Sequence, residues 1–317
     1  MAPSQSCAPS ATHNIRGESM VRILLLITVL LLPAKSFSAE GVKLRHAASI
    51  YTDAIGGIIR QPEGVACNDK SLFIVADTGN GRLLPYGFQG GTVKPQTEIK
   101  VPELSYPVWV AMNSKGDIFV LDGKKRRILR LGPEGAFKGY LDPQDMPSSA
   151  AMVPKSFTIG HDDNIYVLDV FSERVVVLDP EGKYQKQVAF PKEYGFMSDI
   201  AVDRRGTIYL IDSVQAAVSV AAKGSPGFTP LTKSLREYMD FPVGITLDSR
   251  GTIFITDRNG GGIVLLGQDG AFHGRQLHRG RTAGLVDYPS QLCINDKGEV
   301  FVADRDNSRI QIFTMAP

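Results

Sequence analysis

Six aspartates close apolar runs along the 317-residue chain: FIVAD to Asp77, IFVLD to Asp122, IYVLD to Asp169, IYLID to Asp212, IFITD to Asp257 and VFVAD to Asp304. A carboxylate can serve as a general acid or base, ligate a cation, or tie down a loop by accepting backbone N–H groups. The even spacing, 43 to 47 residues from one Asp to the next, selects the last role. A group that recurs once per repeat serves what every repeat needs, so chemistry belongs where the repeats differ. The chain has neither a GxSxG elbow with a Ser/His/Asp set nor a CxxCH haem motif.

The elements that must position these aspartates follow from the same periodicity. Fifteen residues before each Asp stands a proline (Pro62, Pro107, Pro154, Pro242, Pro289), with Met197 in the fourth repeat as the exception. A short apolar run follows the proline, then a polar turn ending in glycine at Gly116, Gly206, Gly251 and Gly298, then the run that closes on Asp. Two short apolar runs about such a turn make a β-hairpin. A third run (LLPY, ILRL, VVVL, VSVA, IVLLG, IQIF) lies beyond each Asp, and a weaker fourth usually completes the unit. Four antiparallel strands in about 45 residues is a propeller blade. The sixth repeat lacks its fourth strand, and residues 42–51 have no other partner; an open ring would leave an unpaired edge. The expected fold is all-β, a six-bladed β-propeller of four-stranded antiparallel blades, its ring closed by the N-terminal strand onto blade six.

The N-terminus reads differently. Residues 1–19 are polar and turn-rich; from Met20 come Val21-Arg22, an apolar run Ile23–Leu32 and the small residues before Ser38. That is the pattern of a secretory signal peptide, and the run is too short to span a bilayer. Residues 1–38 are therefore expected to be an N-terminal extension and signal peptide with Met20 as the true start, and residues 39–317 a single exported domain, periplasmic or extracellular. Removing 1–38 takes away Arg16, Arg22, Lys35 and Glu18, so the formal charge of +2 falls to zero. A neutral domain has no field to steer it to nucleic acid or to an anionic membrane.

The motif Pro62-Glu63-Gly64-Val65-Ala66 with Asp77-Thr78-Gly79-Asn80-Gly81-Arg82, and the segment Val300–Phe313 (VFVADRDNSRIQIF), resemble the NHL repeat. The resemblance spans residues 42–317. Repeat four departs from it at Met197, Gln215 and Ala217, and repeat five at Gly260 and Gly262. It implies a ligand on the face that carries the residues after each Pro and the loops after each Asp, hereafter the Pro-side face. The residues that vary there are Glu63, Trp109, Lys124, Lys125, Arg126, Arg258 and Arg305. Basic and aromatic groups of this kind suit a protein, peptide or glycan partner of a monomeric, non-catalytic scaffold that uses no cofactor. Six-bladed relatives also include lactonase-like enzymes, so the alternative is a cation-dependent hydrolase or lactonase with Glu63, Asp199 and Asn259 about a calcium ion at the channel mouth. His46, His161, His273 and His278 are not expected at the Pro-side channel mouth, His161 falling in a hairpin turn on the opposite face, which argues against zinc. Cys67 and Cys293 fall in the inner strands of blades one and six. A disulfide there would bolt the ring, but the expectation is two buried free thiols packing as small apolar residues.

Overall fold

The structure is a computed structural model that describes residues 42–147 and 152–316; the expected leader, residues 1–38, lies outside the described residues. Among these, 24 strands form six four-stranded antiparallel sheets within the compact unit Glu40–Pro317. The inner strands are Gly64–Cys67, Pro107–Met112, Pro154–Ile159, Met197–Val202, Pro242–Leu247 and Pro289–Ile294. They lie side by side around a central channel, and that of blade six meets that of blade one. The second strands, Leu72–Asp77, Ile118–Asp122, Ile165–Asp169, Ile208–Asp212, Ile253–Asp257 and Glu299–Asp304, carry the repeated aspartates at their ends. Blade six is completed by Lys43–Ile50, which pairs antiparallel with Arg309–Ala316 from Lys43 opposite Ala316 to Ile50 opposite Ile310. No helix among the described residues is long and apolar enough to cross a membrane.

Alternation along each strand puts apolar side chains on both faces of a sheet, because every blade is covered by a neighbour on each side. The buried residues accordingly form six clusters, one between each pair of adjacent blades. Between blades six and one, Phe73 stacks on Tyr86 at 5.1 Å and on Phe301 at 4.7 Å. Each fully buried aromatic of this kind contributes roughly 1.5–3 kcal/mol by leaving water. Four of the six inner hairpin turns share one device. Asn113, Asp203, Asp248 and Asn295 each accept two N–H groups of their own turn, which then closes on a glycine in the left-handed region.

Polar side chains join the blades across the ring. Thr78 Oγ1 donates to Pro107 O at 2.7 Å, and Ser213 Oγ donates to Pro242 O. Inner strands have no sheet partner on the channel side, and in blades four and six the side chain two residues after Met197 or Pro289 supplies one. Gln291 Oε1 accepts Val65 N at 3.0 Å, its Nε2 donates to Val110 O at 3.0 Å, and Asp199 Oδ2 accepts Ile245 N at 2.8 Å.

The expectation of two free thiols is corrected. Cys67 and Cys293 are joined by a disulfide, with Cα atoms 5.9 Å apart. Adjacent inner strands bring the two side chains into the same inter-blade gap, within the separation a bridge requires.

Candidate functional site

The repeated aspartates are framework. All six are 0–2% exposed, and each accepts N–H groups both from the chain entering its blade and from the loop that follows. Asp122 takes Ser105 N and Tyr106 N before the proline and Lys124 N and Lys125 N after it. In blades one, three and six an arginine five residues on adds an ion pair: Arg82 to Asp77, Arg174 to Asp169 and Arg309 to Asp304. Blade five obtains the same pair from elsewhere. Arg275, on the outer strand Phe272–Gln276, reaches Asp257 at 2.8 Å. Gly260 and Gly262 make room for it, since a Cβ at either would lie within 2.8 Å of Arg275 Nη2.

On the Pro-side face, Lys124, Lys125 and Arg126 are exposed beside blade two, with Lys124 Nζ 5.2 Å from the Tyr106 ring. Toward the axis lie Lys155, Arg258 and Arg305. Arg305 pairs with Glu63 at 3.1 Å and with Asp306. Arg258 reaches only Ser290 Oγ, at 3.4 Å, and its Nε is buried without a partner. Lys124, Lys125, Arg126, Lys155 and Arg258 thus have no carboxylate partner among the described residues, whereas Arg82, Arg174, Arg275 and Arg309 do. Among the described residues, six of the eight exposed large apolar side chains stand on this same face: Tyr51, Ile55, Ile58, Phe171, Phe196 and Val214. The other two, Phe137 and Phe272, are on outer strands.

Trp109 is not part of that outer surface. Val108 is taken up by an irregularity between Pro107 and Trp109, which turns the indole into the channel, where Nε1 donates to Phe157 O at 3.0 Å. Trp109, Asp199 and Gln291 line a channel cavity of about 180 Å³. Asp199 is 1% exposed, and its Oδ1 has no partner. Ser156, also buried, faces it outside ordinary hydrogen-bond geometry. Burial pushes the Asp199 carboxyl up to about 7, against the opposing pull of Ile245 N, Ile200 N, Ser156 and Lys155. Lys155 reaches solvent at the mouth, yet protein surrounds it on most sides. Burial, then Arg258, holds its ammonium below the usual lysine range, and burial likewise lowers Arg258.

The hairpin side of the ring holds a larger concavity, about 600 Å³, with Cys67, Met112, Ile159, Val202, Leu247 and Ile294 at its base. His161 lines it, in the inner hairpin turn of blade three on the face opposite the Pro side, where it is expected. Arg204 crosses from blade four to Asp296 of blade six at 2.6 Å and donates to His161 Nε2 at 3.2 Å. Three further contacts join turns of this rim: Ser114 Oγ meets Asp163, Lys297 meets Ser71, and Asp69 accepts Asp296 N.

For the alternative cation site, Glu63 is held by Arg305, Asp199 by Ile245 N, and Asn259 is exposed. Among the described residues no three His, Cys, Asp or Glu side chains are grouped to hold a metal ion.

A model of the NHL repeat matches residues 287–313, which hold the inner hairpin of blade six and most of its third strand. No curated protein matches the chain in sequence. Solved structures do. A catalytically inactive virginiamycin B lyase from Staphylococcus aureus, solved with quinupristin, is 15% identical with a TM-score of 0.60, covering 87% of this chain and 100% of that one. A gluconolactonase from Xanthomonas campestris is 13% identical with a TM-score of 0.63, covering 87% and 90%. A chain of a nidogen/laminin complex is 15% identical with a TM-score of 0.58, covering 72% and 83%. Likeness at these identities is likeness of fold, shared by enzymes and by a member of a protein complex alike.

Proposed function

We propose that this NHL-repeat six-bladed β-propeller is an exported, non-catalytic scaffold that seats a protein or peptide partner on its Pro-side face. One observation carries the reading: exposed apolar side chains gather on that face, beside Lys124, Lys125 and Arg126, which have no carboxylate partner among the described residues. Water-exposed Phe171, Phe196 and Val214 lose an unfavourable hydration when covered, and Lys124, Lys125 and Arg126 add complementarity to an acidic neighbour. A chain of the nidogen/laminin complex, a propeller neighbour, comes from a protein–protein assembly, which is consistent with such a use of the fold.

The test is a photo-crosslinking amino acid placed at Phe171 or, as a control, at Ser249 on the hairpin side, in cells that export the protein. Discrete adducts are expected from position 171 and none from 249. Reversing Lys124, Lys125 and Arg126 to glutamate together should lower the adduct yield at least tenfold without altering the melting temperature. Adducts from 249 alone would move the partner to the other face and end this reading.

A further inference from the structure

The hairpin-side concavity and the channel cavity share Ile159, His161, Val202 and Leu247, so the two meet at one ring of side chains. That ring is the fifth residue after each proline, or after Met197 in blade four. It comprises Cys67, Met112, Ile159, Val202, Leu247 and Ile294, apolar in all six blades and half-buried in each. Over it reaches Arg204 of blade four. Its Nη2 donates to both carboxylate oxygens of Asp296 in blade six, at 2.6 and 2.7 Å, and its Nε to His161 Nε2 in blade three, at 3.2 Å. The three contacts named above on this rim join neighbouring blades, whereas Arg204 reaches past blade five and links blades that stand opposite each other in the ring. All three residues line the concavity, so the guanidinium lies over the hairpin-side mouth of the channel.

We propose that Arg204 is a gate: engaged with Asp296 and His161 it closes the hairpin end of the channel, and released it admits small uncharged molecules to the cavity beside Trp109. This device is independent of any docking on the Pro-side face. The strap is built to move. The side chains of Arg204 and Asp296 are 49% and 50% exposed, and an exposed ion pair opens at little cost and is screened by salt. The framework pair Arg309–Asp304, at 1% and 0%, is its opposite. The post to which the strap fastens is fixed, because Asp69 of blade one accepts Asp296 N at 2.8 Å.

The collar beneath the strap sets which solutes pass. Six apolar side chains give an ion no replacement for its water, while a small neutral molecule loses far less on the way through. Below the collar the wall carries Thr158, Thr246 and Gln291, where such a molecule meets polar groups again.

Trp109 is the sole tryptophan of the chain and lines the channel cavity, so its fluorescence lifetime reports what enters. Acrylamide is the neutral probe; iodide and caesium ions are the charged ones. Arg204→Ala should raise the rate constant for quenching by acrylamide at least twofold over the wild type, and Asp296→Asn should raise it as well. Sodium chloride at about 1 M should raise it in the wild type but not in Arg204→Ala. Arg205→Ala is the control, since Arg205 sits in the same turn but pairs with Asp203 of its own blade, and it should leave the rate unchanged. Neither ion should gain access in any of these proteins. An unchanged acrylamide rate in Arg204→Ala and Asp296→Asn, both with unaltered melting temperatures, overturns the gate. So does an equal rise in Arg205→Ala, which would mean a loosened turn. A rise with iodide or caesium as large as with acrylamide overturns the neutral filter. Should Arg204→Ala fail to fold, Asp296→Asn and the salt response of the wild type decide the question alone.

Discussion

At the scale of single residues, the most consequential side chain is Asp199, a carboxyl buried in the channel wall where four other repeats carry Gly64, Trp109, Ser156 and Gln291. Its pKa is raised in the folded state, from 3.8 to about 7. The neutral form is therefore the one the fold prefers. Its contribution to stability is fully present below about pH 4 and is lost as pH rises through 7; three units correspond to about 4 kcal/mol at most. Asp199→Asn keeps an oxygen for Ile245 N and removes the titration. Urea unfolding at pH 5 and pH 8 should therefore show the wild type losing stability relative to the variant at the higher pH. Equal behaviour at both would mean that Asp199 is ionised without penalty. The position was legible in the sequence as a departure from the repeat, but its burial was not. Burial depends on blade five presenting Ile245 N, a contact 46 residues away. Another residue-scale feature escaped the sequence altogether. The fourth position after every repeated Asp is left-handed, and only Gly81 and Gly261 advertise it, while Arg126, Glu173, Ala216 and Ser308 adopt it without glycine.

At the scale of elements, blade five shows how a repeat keeps its bond while losing its motif. The third strand Gly262–Leu266 has glycine where blades one, three and six have arginine, and Arg275 of the outer strand fills the space. Arg275→Ala leaves Asp257 buried with only its N–H donors, which should cost about 2 kcal/mol, less than a bare buried charge because those donors remain. Gly262→Arg in that background should restore about half, since an arginine there occupies the position of Arg82 in blade one. The same change in the wild type should destabilise, as its Cβ would lie 2.8 Å from Arg275 Nη2. Thermal unfolding of the four proteins checks this; additive effects would refute the substitution of one arginine by the other. Strand order and hairpin turns were readable from the proline-to-aspartate interval because that interval spans one local hairpin. The origin of the blade-five arginine was not, because it depends on which distant side chain finds a gap.

For the whole molecule, the ring is closed twice, at the outer edge by Lys43–Ile50 and at the channel by the Cys67–Cys293 bridge. The bridge encloses 226 residues, and by loop entropy such a link stabilises by roughly 5 kcal/mol in an ideal case. Cys67→Ala with Cys293→Ala should lower the melting temperature by about 5–15 °C while strand content stays unchanged, because the outer closure remains. A melting curve indifferent to reductant and to the double substitution would show that the outer strand alone holds the ring. The sequence placed both cysteines in neighbouring inner strands yet favoured free thiols, since a distance between backbones is not written in spacing. The outer closure has a further consequence, in the order in which the chain is made. Strand Lys43–Ile50 leaves the ribosome among the first, and its partner Arg309–Ala316 follows about 260 residues later, roughly 15–50 s at ordinary rates of synthesis. For that interval the blades can assemble one by one, but the first strand has nowhere to go. The first strand is thus an unpaired edge until the last strand arrives, which gives a holding factor a defined target.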